Sequence, residues 1–333
     1  MKKITLFVPV LCALLCGQGC DKNNNPASKT ADNLATENNP SSKKFRLAFV
    51  TNTTNDFWAT VQQGCRNAAQ QLGNVQLDFR FFTNSTVEEQ EALVNSLVAD
   101  GVDGIAISPI GGDKQTDFLK EIAAKKLLVC VDSDAPDSER ACFIGSDNLA
   151  AGKQAAGLLK TALPQGGKIV LCVGYPEAQN AKDRIQGIKD GLAGSNIQII
   201  DTLADETKID VAEKNAAEAL AKHSDLAGIV GLYSYNGPAI LQAVRAADKA
   251  GKVKIVCFDD DSATLAGVAA GDIHGTVIQL PVRIGYESIS RMSKYLGGDK
   301  TQLSGGNVLL KTLPVNQAMV EAIQVYRQNL LQP

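Results

Sequence analysis

Groups able to bind a small molecule recur in this sequence directly after short apolar runs. Asn52, Asn55, Phe57 and Trp58 follow the run Phe45–Thr51, and Asp132-Ser133-Asp134 ends the run that starts at Leu127. Tyr233, Tyr235 and Asn236 end another, Asp259-Asp260-Asp261 follows Lys254–Phe258, Gln279 follows Val277-Ile278, and Arg184 lies near the start of a helical stretch after Gly174. In open parallel sheets ligands sit beyond the carboxyl ends of the strands, where these residues would stand. Carboxylates accept from hydroxyls, a guanidinium donates to them, and Asn or Gln does both, which suits a neutral polyhydroxylated ligand. Phe57 and Trp58, the only Trp, offer apolar faces to the C–H side of a sugar ring. Each residue also has a structural use. Asn55 or Asp56 can cap a helix, Asp132 and Asp259 can hold turns, Arg184 can lie on a helix surface, and Trp58 can belong to the core. Their collection at one end of the strands favours ligand binding.

The same residues offer little to catalysis. Asp259 and Asp261 superficially resemble the aspartate pair of haloacid-dehalogenase phosphatases, but Ala263 stands where those enzymes need a hydroxyl residue or Val. Phosphate loops, nucleophile elbows and metal-spaced His pairs are missing, and the two histidines, His223 and His274, are far apart. A non-enzyme without a cofactor or metal is expected. With 33 basic and 36 acidic residues and a formal charge of −3, the chain lacks the field that a nucleic acid requires.

The elements that must position these groups alternate. From Phe45 onward, β-rich runs are separated by helical stretches of roughly ten to eighteen residues, the pattern of a parallel sheet with crossover helices. Helices are expected over Lys182–Leu192 and Pro238–Ala250, and a single strand-like run over Val308–Leu313. After Ser146-Asp147-Asn148 the pattern begins again, and about ten strand-like runs exceed what one doubly wound sheet uses. The expected fold class is therefore α/β with two doubly wound parallel-sheet lobes and a ligand cleft between them. A length of 333 residues with 44% hydrophobic content supports two cores.

The chain opens with Lys2 and Lys3, an apolar run from Ile4 to Leu15, and small residues before Cys20, which reads as an export signal over 1–20. Gly-Gln-Gly-Cys20 resembles a bacterial lipoprotein cleavage site, with lipidation of Cys20 set against simple cleavage or an uncleaved anchor. Residues 21–44, rich in Asn, Ser, Lys and Ala without hydrophobic period, are expected to form a flexible tether. Of eight cysteines, Cys65, Cys130, Cys142, Cys172 and Cys257 fall in the folded part and lack metal spacing. Cys130, Cys172 and Cys257 read as buried thiols, while a Cys130–Cys142 bridge is open to a protein in an oxidising compartment.

An ordered set of motifs then resembles a family. Thr51–Trp58, Gly101-Val-Asp-Gly-Ile-Ala-Ile-Ser-Pro109, Ile144-Gly-Ser-Asp147-Asn148, Arg184-Ile-Gln-Gly187, Phe258-Asp259 and Ile278-Gln279-Leu280-Pro281 occur in that order. Together they are similar to the ribose/galactose-binding type of periplasmic sugar-binding proteins over roughly Phe45 to Leu313. The resemblance implies a monomeric periplasmic protein that captures a sugar or polyol and delivers it to the permease of an ABC transporter, or feeds a chemoreceptor or sensor kinase; with Cys20 lipidated, it would be anchored to a membrane. It implies lobes of 45–146 plus 281–311 and 147–280 plus 312–333, joined by three hinge strands near Ser146, Leu280 and Lys311. It places Asn55, Phe57, Trp58, Asp132, Ser133 and Gln279 on one side of the cleft and Arg184, Asn236 and Asp259 on the other. Ser133 stands where the ribose-binding members carry an Arg, and Glu206 or a neighbour where they carry an aromatic ring. Sugar-responsive repressors share such a core, but here the first 44 residues hold a signal and tether instead of a helix-turn-helix.

Overall fold

The computed structural model describes residues 43–82 and 86–331, with side chains to residue 325. The export signal, Cys20 and nearly all of the tether lie outside the described residues. The first lobe opens with β1 (Phe45–Val50), α1 (Asp56–Leu72), β2 (Val75–Arg80), α2 (Val87–Ala99), β3 (Gly104–Ile107), α3 (Thr116–Lys125), β4 (Leu127–Val131) and β5 (Cys142–Ser146). The pattern restarts with α4 (Asn148–Ala162), β6 (Gly167–Val173), α5 (Gln179–Leu192), β7 (Ile197–Ala204), α6 (Ile209–Lys222) and β8 (Leu226–Gly231). It continues through α7 (Asn236–Ala246), β9 (Lys254–Phe258), α8 (Ser262–Ala270) and β10 (Gly275–Ile278). The chain ends with α9 (Pro281–Leu296), β11 (Asn307–Leu310), β12 (Leu313–Asn316) and α10 (Val320–Leu331).

Two six-stranded sheets result, ordered β11-β5-β4-β3-β1-β2 and β12-β10-β9-β8-β6-β7. The second winding repeats the first. Neighbouring strands are parallel except β10 and β12, so each sheet reverses its order beside its first strand, where a crevice opens at the carboxyl ends. The chain passes between the sheets three times, after β5, after β10, and between β11 and β12. The last passage splits the single expected run Val308–Leu313, because Leu310 pairs with Ser146 of the first sheet and Leu313 with Ile278 of the second.

Strand periodicity sorts the cores. Phe45, Leu47 and Phe49 of β1 enter a cluster on one face of the first sheet, and Ala48 and Val50 enter another on the opposite face. In β9 Val256 and Phe258 face one way and Ile255 and Cys257 the other. The same alternation disposes of the Cys130–Cys142 bridge. Register sets Cys142 beside Val129, so Cys130 and Cys142 project into clusters on opposite faces, and all five cysteines are buried free thiols. Two helix pairs pack through glycine. A Cβ on Gly64 of α1 would lie 1.9 Å from the Val282 carbonyl oxygen before α9's second turn, and one on Gly187 of α5 would lie 2.2 Å from the Leu149 oxygen of α4. Among the described residues, no helix is long and apolar enough to cross a membrane.

Candidate functional site

Equivalent strands of the two lobes end in aspartate. Asp132 follows β4 and Asp259 follows β9, and both adopt left-handed backbone, with φ of 63° and 68°. In each case the backbone N–H reaches the next strand, from Asp132 to the Ile144 oxygen (3.2 Å) and from Asp259 to the Val277 oxygen (2.9 Å). Asp is among the few non-glycine types that tolerate this region, and the sharp turn directs its carboxylate out of the sheet. Thr276 Oγ1 donates to the Asp259 carbonyl at 2.6 Å and fixes the turn further.

Arg184, on the second turn of α5, places its positive charge near enough to act on both carboxylates. It is 2% exposed, and its guanidinium lies 4.6 Å from the Phe258 ring centroid. Nε donates to Asn148 Oδ1 at 2.8 Å and Nη1 to the Leu232 oxygen at 2.6 Å. Nη2 is buried without a protein partner, as is the Ser133 hydroxyl beside Asp132. Gln279 closes the set at a crossover between the lobes. Its Oε1 accepts from Ser146 Oγ (2.7 Å), and its Nε2 donates to Asp259 Oδ1 (2.8 Å).

One guanidinium serves two buried carboxylates, and the balance shows in their acidity. Burial pushes Asp259 up to about 7; the charge of Arg184 and the Gln279 bond oppose the rise, and the charges of Asp132 and Asp260 add to it. Asp132 is also raised by burial, held back by Arg184, Asn180 and Gln279. Hydroxyls donated to these carboxylates would stabilise their charged forms. A phosphorylated ligand would meet two carboxylates for one guanidinium.

The expected residues separate into groups. Asp132, Ser133, Arg184, Asp259 and Gln279 come together as described. Asn55 caps α1, accepting from Trp58 N at 3.2 Å. Trp58 is 1% exposed and packs edge-on against Phe49 and Phe57, with its Nε1 donating to Asn52 Oδ1 at 2.9 Å, so it forms part of the first-lobe core. Phe57 belongs to the same cluster. Asn236 begins α7, two residues before the expected start at Pro238, and its side chain bonds back over the preceding turn. Its Oδ1 accepts from Tyr233 N (2.9 Å) and its Nδ2 donates to Asp205 Oδ2 (2.8 Å). Asp205, raised by burial to about 6, also accepts from the Tyr235 hydroxyl, forming a nest internal to the second lobe.

One residue not singled out in the sequence, Asn180, joins the site beside Tyr233. Asn180 donates through Nδ2 to Asp132 Oδ2 at 3.1 Å and accepts from the Tyr233 hydroxyl at 3.2 Å. The signal was the polar segment after Gly174, obscured because α5 begins at Gln179 and not near Lys182. Among the described residues, no group of three or more His, Cys, Asp or Glu side chains is placed to hold a metal.

The sequence matches the periplasmic binding protein domain over residues 47–300. The chain belongs to that family. This periplasmic binding protein is 26% identical over 269 residues to the ribose import binding protein of Salmonella typhimurium, a match covering 78% of the chain and 87% of the relative. It is 29% identical over 226 residues to the fructose import binding protein of Bifidobacterium longum, covering 65% and 68%. Among solved structures, a solute-binding protein of an ABC transporter from Burkholderia graminis, in complex with D-arabinose, superposes with a TM-score of 0.76 at 26% identity, over 84% of this chain and 97% of that one. The two α/β lobes of this periplasmic binding protein are those of the family's fold.

Proposed function

We propose that this protein captures a neutral sugar or polyol between its lobes and delivers it to the permease of an ABC transporter. The observation that carries the reading is the pair of buried strand-end aspartates, both under the charge of Arg184, together with the unpartnered Arg184 Nη2 and Ser133 Oγ. A ligand presenting several hydroxyls supplies both donors for the carboxylates and acceptors for the guanidinium and the serine. Relatives named for ribose and fructose import, and one solved with D-arabinose, support the sugar class. Lobes of 45–146 with 281–311 and 147–280 with 312–333 would close about the three crossovers, because a ligand touches both aspartates only in the closed form. Export to the periplasm, a lipid on Cys20, and action as a monomer complete the proposal.

The test is a thermal-shift panel of five neutral compounds, D-ribose, D-arabinose, D-galactose, xylitol and myo-inositol, with D-ribose 5-phosphate and D-glucose 6-phosphate alongside, on the full chain. A ligand at a hundred times its dissociation constant stabilises the folded form by about 2.7 kcal/mol, enough to move the melting temperature by several degrees. A panel in which sugar phosphates stabilise the protein and no neutral sugar or polyol does would refute the assignment.

A further inference from the structure

The second lobe meets the first around the start of α5, beside the start of α4, where Asn148 Nδ2 donates to the Asp132 carbonyl oxygen at 3.4 Å. We infer that Asn180 is the positioning residue of the site, reaching from the second lobe to fix the Asp132 carboxylate that a ligand meets on the first. The inference rests on the cleft being the ligand site.

Asn180 is 3% exposed, and its carboxamide is used at both ends. Its oxygen is held within its own lobe by the Tyr233 hydroxyl at 3.2 Å, which aims the Nδ2 donor across the cleft at Asp132 Oδ2, 3.1 Å away. Neither end can be exchanged. A carboxylate at position 180 would set two anions about 3 Å apart, which must then share a proton, and an aliphatic side chain would leave a buried Asp132 oxygen short of a donor. The contacts flanking it lie at the lips. Lys182 Nζ lies 2.9 Å from Asp113 Oδ2, an exposed pair worth little by itself. Gly112, at φ +52°, faces the Glu177 carbonyl oxygen so closely that a Cβ would stand 2.4 Å from it. Glu177, Asn180 and Lys182 thus meet the first lobe within six residues of chain, and only Asn180 reaches a group of the site.

A second consequence separates positioning from simple support. If Asn180 acts through its hydrogen bond to Asp132, replacing it with Asp makes lobe closure depend on the protonation of the new pair. The other titratable groups around Asp132 are Arg184 on the same helix, Asp259 at the end of β9 and Tyr233 after β8, and the wild-type protein carries all of them. Comparison with wild type at each pH therefore isolates the substituted position.

The experiment uses the full chain with Asn180→Asp, Asn180→Ala and Gly112→Ala. Small-angle scattering without added ligand is recorded at pH 5 and pH 8, and calorimetric affinity is measured for the strongest binder of the five neutral compounds above. At pH 8, Asn180→Asp should have a larger radius of gyration than wild type and bind about ten-fold or more weakly, by the scale of a lost hydrogen bond to a charged group. At pH 5 both differences should shrink as the pair shares a proton. Asn180→Ala and Gly112→Ala should be more open than wild type at both pH values, and Asn180→Ala keeps the scattering test valid if the Asp variant does not fold. Wild-type scattering from Asn180→Ala, or an Asn180→Asp deficit that is the same at pH 5 and pH 8, overturns the inference. Should none of the five compounds bind while scattering behaves as expected, the sugar assignment falls and the Asn180 bridge stands.

Discussion

Ligand binding should release a proton from Asp259. In the free protein burial holds this carboxyl at about 7 with one guanidinium shared between two carboxylates, so at pH 6 it is roughly nine-tenths protonated and at pH 8 roughly one-tenth. A ligand hydroxyl donating to Asp259 favours the charged form and draws the value down. Binding at pH 6 should then expel about 0.9 proton, and binding at pH 8 about 0.1. Affinity should rise about ten-fold per pH unit below 7 and level off above it. Titration calorimetry at pH 6 in two buffers of different ionisation heat reads the released proton directly, and Asp259→Asn should abolish the buffer dependence. Equal heats in the two buffers at pH 6, or a buffer dependence that survives in Asp259→Asn, would refute the reasoning. Folding carries the complementary sign. The folded value lies above the ordinary 3.8, so the folded form holds the proton between about 4 and 7, and this group's contribution to stability falls as pH rises through that window.

Removal of Arg184 should cost more than a ligand contact. Arg184→Ala leaves Asp132 and Asp259 without that cation and empties the space over Phe258, so a stability loss of about 3–5 kcal/mol by denaturant titration should accompany weaker sugar binding. An Arg184→Ala protein with wild-type stability would contradict the keystone role. Gly187→Ala, with its Cβ directed at the Leu149 oxygen, should push α5 from α4, cost about 1–3 kcal/mol and weaken binding by displacing Arg184 one turn earlier. Gly157→Ala, which has open space on α4, should leave binding unchanged and melt no lower than wild type, a contrast that thermal melting and calorimetry resolve.

Strands and helices could be read from the sequence because their signals are local. The apolar runs of β1, β4 and β9 and the turn residues between them are each encoded within a few positions, and so is the restart of the pattern after Ser146. The strand-end aspartates were legible for the same reason. Helix starts were read less well, since α5 and α7 each begin a few residues earlier than periodicity indicated, and those early turns hold Asn180 and Asn236. One bonds to Asp132 and the other to Asp205.

By itself the sequence determined that this is a two-lobed α/β protein with hydrogen-bonding groups at its strand ends, because backbone periodicity and chemical type are properties of single residues and their neighbours. Only the tertiary structure decided which of those groups meet. Asn180 lies 48 residues from Asp132, and Gln279 lies 133 from Ser146. Trp58 packs in the first-lobe core because Phe49, in the strand before it, lies against it, and Asn236 bonds to Asp205 because that carboxylate is buried within its reach. Such choices follow from burial, since a polar group taken out of water must find a partner wherever the fold brings one.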